Sequence, residues 1–165
     1  MPNTFELISA VTVGSGGASS IDFTSIPSTY TDLCVKFSLR ASLSTNDAKI
    51  EFNGVSTNLS ERAAGGNGSS TYSFNDSLIN PLVNPSTFTS NTFTSSEFYI
   101  PNYAGSSNKS LSQESVQETN ATSANAIMTA GLWSNSAAIS SIKIAPSSGT
   151  FVQYSTAYLY GVKNA

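Results

Sequence analysis

Ten carboxylates, from Glu6 to Glu118, are the side chains in this 165-residue chain best suited to general acid and base work. A glycoside-cleaving pair needs two of them opposed across a cleft, roughly 5–10 Å apart. Their scattered placement singles out no such pair. No histidine is present. That removes the commonest general base near neutral pH and the commonest zinc ligand, so Ser-His-Asp and Cys-His chemistry are excluded. Cys34 is the single cysteine. It can form neither an internal disulfide nor a thiolate metal cluster, and the fold is not one built for an oxidising compartment. With no histidine to activate it, Cys34 reads as a small packing residue rather than a nucleophile. The loops around Asn46-Asp47 and Asn75-Asp76 carry oxygen ligands that calcium would accept. Neither has EF-hand spacing, and both read as ordinary Asx turns. The expectation is no cofactor, no metal and no catalysis.

Aromatic residues are what remains to meet a ligand or partner. Thr87-Phe88-Thr89-Ser90-Asn91 is followed by Thr92-Phe93-Thr94-Ser95-Ser96, a tandem repeat. Its spacing of five puts Phe88 and Phe93 on opposite faces of any continuous strand. Two short strands joined by a bend would carry both rings into the core. A ring left outside would be a handle for a neighbouring subunit or ligand. Trp133, in the apolar run after Gly131-Leu132, is expected in the core, with a sugar-stacking platform as the alternative. Tyr72, Phe74 and Tyr103 complete the candidate contact residues.

The elements that must position these side chains are strands. From Leu33 to Ser42, Leu33, Val35, Phe37, Leu39 and Ala41 alternate with Cys34, Lys36, Ser38, Arg40 and Ser42, the period of a half-buried strand. The same alternation recurs at Ala48, Ile50 and Phe52, more loosely at Ile139, Ile142 and Ile144, and at Ala157, Leu159 and Gly161. Lys109 to Glu118 reads as a polar strand and Ala126 to Trp133 as a buried one. Turn signals lie between them: Gly14 to Gly17, Asn53-Gly54, the loop from Ala64 to Ser70, and Ser147-Ser148-Gly149. The segment from Asn75 to Ser86, with Pro81 and Pro85, is expected to be a long excursion over the surface, because proline donates nothing to a ladder. No window keeps a helical spacing.

Composition agrees. Charged residues make up 10% of the chain, while 49 Ser and Thr and 15 Asn fill its polar positions. Such short neutral side chains favour strands and turns over helix. The net charge of −3 offers no footprint for a phosphate backbone, so nucleic acid is not an expected partner. No basic segment leads into an apolar run near Met1, and 18 consecutive apolar residues occur nowhere. Neither signal peptide nor membrane span is expected. The sequons at Asn58, Asn67, Asn75, Asn108 and Asn120 follow by chance from so much Ser and Thr. Together these features predict one all-β domain over residues 1–165, an antiparallel, jelly-roll-like sandwich with both chain ends held in the sheet or against a neighbour.

The run Ile21-Asp22-Phe23-Thr24-Ser25-Ile26-Pro27-Ser28-Thr29-Tyr30-Thr31-Asp32-Leu33 has the look of an opening strand, a proline turn and the entry to a long amphipathic strand. With Phe52-Asn53-Gly54, Ile100-Pro101-Asn102-Tyr103 and the following Lys109, Gly131-Leu132-Trp133-Ser134, the strand of Ile139, Ile142 and Ile144, and the closing Leu159-Tyr160-Gly161-Val162-Lys163, it resembles small β-sandwich proteins encoded among the virion structural genes of tailed, often marine, bacteriophages. The resemblance spans nearly the whole chain and carries no catalytic residue. It implies a structural role, as a capsid decoration protein, a head fibre, or a tail-fibre or tail-tip component. The first expectation is therefore a homo-oligomeric decoration protein on the capsid surface, bound to the major capsid protein and to copies of itself. A tail-fibre or receptor-binding module is the second, with Tyr72, Phe74, Trp133 or Tyr103 stacking on a host glycan. The third, a small carbohydrate-active enzyme, requires an acid pair in a cleft.

Overall fold

A computed structural model describes residues 4–120 and 124–163. Eleven strands run in chain order: β1 (Phe5–Thr12), β2 (Ile21–Phe23), β3 (Asp32–Ser38), β4 (Ala48–Phe52), β5 (Leu59–Gly66), β6 (Thr71–Asp76), β7 (Ser95–Pro101), β8 (Lys109–Glu118), β9 (Ala124–Trp133), β10 (Ile142–Pro146) and β11 (Thr156–Val162). Among the described residues there is no helix. The fold is the expected all-β antiparallel sandwich, with unequal layers. An eight-stranded sheet of order β1-β11-β3-β7-β8-β9-β5-β6 faces a three-stranded sheet of order β2-β10-β4. Both ladders pair antiparallel throughout. The ends do lie in the sheet, since β1 pairs with β11; residues 1–3 and 164–165 fall outside the described set.

The core forms where the two inner faces meet. Leu33, Val35 and Phe37 of β3, Phe98 and Ile100 of β7 and Leu159 of β11 come from the large sheet, and Ile21, Phe23, Ile50, Phe52, Ile142 and Ile144 come from the small one. Each is essentially fully buried. At about 1.5–3 kcal/mol for each large apolar side chain removed from water, this layer dominates the favourable side of folding. Asn53 and Gly54, both at positive φ (53° and 76°), close a two-residue hairpin in which Phe52 and Val55 exchange both backbone bonds, at 3.0 and 3.1 Å.

Three expectations about the elements are corrected. The long alternating strand ends at Ser38. Leu39 and Ala41 still point inward, but the chain changes partners there, Arg40 bridging to Asn84 and Ala41 to Phe151. The glycines of the Ala64–Ser70 stretch do not open a loop at once. Strand β5 continues through Gly66, because a Cβ on Gly65 would lie 2.8 Å from the Ala126 carbonyl and 3.0 Å from Ile127 and the Tyr72 ring, so glycine there permits close packing. The turn itself is made at 67–70, where Asn67 Oδ1 accepts from the backbone N–H groups of Ser69 and Ser70. The largest correction concerns residues 77–86. Ile79 and residues 81–85, both prolines included, are buried, so this segment is a strap inside the sandwich and not a surface excursion. It runs beside β4 as an irregular extra strand: Ala48 N–H donates to Pro81 O, Ile50 N–H to Ile79 O and Val83 N–H to Asn46 O. Pro81 is tolerated because its carbonyl, not its nitrogen, faces the ladder, while the Pro85 carbonyl accepts from Phe88 N in the turn that follows.

Candidate functional site

Register defines the outward face of the large sheet. One row crosses it as Ala10, Tyr158, Lys36, Glu97, Glu114, Met128, Ala64 and Ser73; the next carries Leu7, Tyr160, Cys34, Tyr99, Ser112, Ala130, Arg62 and Asn75. No second layer covers these rows among the described residues. Met128 is 65% exposed, and Val116, its diagonal neighbour across the β8–β9 ladder, is 46% exposed. Around them lie small side chains, Ser110, Ser112, Ala126 and Ala130, all exposed. A shallow open depression of about 510 Å³ runs across the middle, lined by Lys36, Glu97, Glu114, Val116, Tyr158 and Tyr160.

Charge on this face is sparse: Lys36 and Glu97 pair with one another, and Arg62, Glu114 and Glu118 stand exposed beside them. Lys36 donates to Glu97, which holds the ammonium pKa above its usual value. Glu114 lies directly across the ladder from Glu97 and leaves the face slightly acidic. Tyr99 donates to Asp32, and that bond together with partial burial pushes the phenol up to about 12. Cys34 alternates onto this face, yet it is 1% exposed between Tyr160 and Tyr99 in the register. Burial and, next, the Glu97 charge push its thiol up to about 11, so it is protonated at neutral pH and is a packing group.

The aromatic candidates part company. Trp133 is 1% exposed, packed on Phe52 with ring centroids 5.5 Å apart, and Tyr103 is fully buried with its hydroxyl donating to Pro27 O. Neither presents a surface to a partner or sugar. The bulk of each ring fills the space between the sheets, which outweighs its polar handle. Tyr72 and Phe74 stand side by side on the edge strand β6, ring centroids 6.4 Å apart. Phe74 is 38% exposed, while the half-buried Tyr72 donates its hydroxyl to Asn125 Oδ1. Asn125 in turn donates to Gln117, and Gln117 to the strap carbonyl of Val83.

Phe88 and Phe93 are neither in strands nor in the core; both are half-buried on a loop of turns that precedes β7. A residue that sequence reasoning missed organises this loop. Arg40, assigned by alternation to the solvent face, is 8% exposed. Its Nη1 donates to the carbonyls of Thr89 and Thr92 and its Nη2 to those of Ser86 and Phe88, at 2.9–3.3 Å. Burial lowers its pKa. No carboxylate pairs with it among the described residues. Lys109 does the same at the other end of the sandwich, donating to Gly105 O at 2.7 Å and to Ser107 O from a buried position. The common signal is a cation placed where carbonyls of a tight loop converge.

The acids gather once. Glu61 is 1% exposed on the inner face of β5 and accepts from Asn80 N and Nδ2 of the strap; Asn80 also donates to Asp76 Oδ2. Burial raises the carboxyl pKa values of both Glu61 and Asp47. Asp76 Oδ1 accepts from Ser77 N at 2.6 Å and Leu78 N at 3.2 Å, the Asx turn expected there. Among the described residues no group of three His, Cys, Asp or Glu side chains is arranged to hold a metal ion. No protein-family model, no curated protein and no solved structure matches this chain.

Proposed function

We propose that this is a virion structural protein which acts by adhesion, coating a capsid shell through the outward face of its eight-stranded sheet, and that it is not an enzyme. One observation carries the reading: the broad, uncovered face with exposed Met128 and Val116 among Ser, Thr and Ala. An antiparallel sheet commonly leaves one face to water, but such a face ordinarily bears many charges. Here a partner would desolvate few ions, because Lys36 and Glu97 already neutralise one another and most of the remainder is small and neutral. Close approach over many copies turns a modest contact into a stable coat. The major capsid protein and neighbouring copies are the partners this implies. If the module instead binds a host glycan from a tail fibre, Tyr72 and Phe74 are the expected residues that keep accessible aromatic surface on β6.

Co-sedimentation with capsid shells lacking the protein tests the reading. The double variant Val116→Lys, Met128→Lys is expected to stay folded, since both side chains point to solvent, and to lose shell binding. A folded double variant that binds shells as the parent does would overturn the proposed face.

A further inference from the structure

A second recess lies away from the large sheet's face, between the loop that ends at Phe93 and the turn Val152–Ser155. It is an open depression of about 300 Å³, bordered by Ser90, Asn91, Phe93, Gln153 and Tyr154, with Arg40 beneath. That volume stands at the lower end of the roughly 300–1,000 Å³ typical of small-molecule sites. Its two aromatic residues differ in setting: Phe93 is half-buried, and Tyr154 is 66% exposed, the most exposed large hydrophobic side chain among the described residues.

Tyr154 is also held in an unfavourable backbone conformation. The turn closes with Ser155 N–H donating to Val152 O at 3.1 Å, and Tyr154 occupies its third position at φ 71°, where glycine is the usual residue. Its own N–H is tied to Val13 O at 3.0 Å, so the strained geometry is fixed from outside the turn. Strain of this kind on a bulky exposed residue gathers at ligand-binding positions. On the facing wall, the four carbonyls gathered by Arg40 lock the loop that presents Phe93. Both Nη groups are fully committed to that task, so the cation holds the wall in place and does not reach out to a ligand anion. What the recess offers a ligand is neutral: two rings, the amides of Asn91 and Gln153, and the hydroxyl of Ser90, none of them engaged in a side-chain hydrogen bond among the described residues.

We propose that this recess binds a neutral saccharide, one pyranose ring seated against Phe93 and Tyr154 and hydrogen-bonded by Asn91, Gln153 and Ser90. Sugar rings present apolar C–H faces and a rim of hydroxyls, which aromatic faces and planar amides together satisfy. The site is independent of the adhesive face, so its failure leaves that reading standing.

Backbone amide shifts followed by NMR during titration of the intact protein with the methyl glycosides of glucose, galactose, mannose and N-acetylglucosamine provide the test. At least one glycoside is expected to move the amides of Asn91, Gln153 and Tyr154 saturably. Tyr154→Gly should weaken that binding by about tenfold or more. Because glycine relieves the turn, this variant should melt no lower than the parent, which separates lost binding from lost folding. The proposal is overturned if none of the four glycosides gives saturable shifts at these positions, if Tyr154→Gly binds unchanged, or if the shifts fall on Tyr72 and Phe74 instead.

Discussion

At the scale of single residues, the buried cations decide more than the acids do. Arg40 gathers four loop carbonyls around one buried guanidinium, and of these the Thr89 carbonyl also accepts from Thr92. Arg40→Ala is expected to lower stability by about 2–4 kcal/mol, the cost of losing several hydrogen bonds made by one charged donor. Arg40→Lys should recover only part of this, since an ammonium cannot span four acceptors in a plane. Urea unfolding midpoints of the two variants check both expectations; a neutral Arg40→Ala would show the loop to be held by other contacts. None of this was legible in the sequence. Alternation assigned Arg40 to the solvent face, and its acceptors lie 46–52 residues away along the chain. Trp133 was legible, because a large ring in an apolar run after glycine has few better places than the core. Tyr103 was not, since nothing near it in sequence announces the Pro27 carbonyl that its hydroxyl meets.

Where strands lie could be read from the sequence more readily than which of their side chains face inward. Lys109 to Glu118 emerges with its predicted bounds and a perfect in-and-out pattern. Glycine and proline misled where tertiary packing overruled local chemistry: Gly65 serves close approach, and Pro81 and Pro85 lie inside the strap. That strap is docked through Asn80 on Glu61, a carboxylate whose burial raises its pKa above the usual 4.5. A raised folded-state pKa adds stability that is fully present below the unfolded value and lost as pH rises through the folded one. Asp47 acts in the same direction. The strap should therefore hold more tightly near about pH 5 than near about pH 8, and Glu61→Gln, which cannot ionise, should shrink that difference. Unfolding midpoints at the two pH values test this. An unchanged difference in the variant would place the pH dependence elsewhere.

For the whole molecule, the unequal sandwich is the feature that matters. Three strands and a strap cover the inner side of an eight-stranded sheet, and the outer side is left broad, weakly charged and studded with Met128 and Val116. The sequence announced the composition of that face but not its extent, because which strands lie side by side depends on pairings far apart in the chain, such as β3 between β11 and β7. Electron microscopy of the intact particle, with this chain located in the map, tests the account most directly. The account predicts on the order of hundreds of copies, each with the rows of Lys36, Glu114 and Met128 turned onto the shell or a neighbouring copy. A chain absent from the shell, or seated on it with those rows facing solvent, would contradict it.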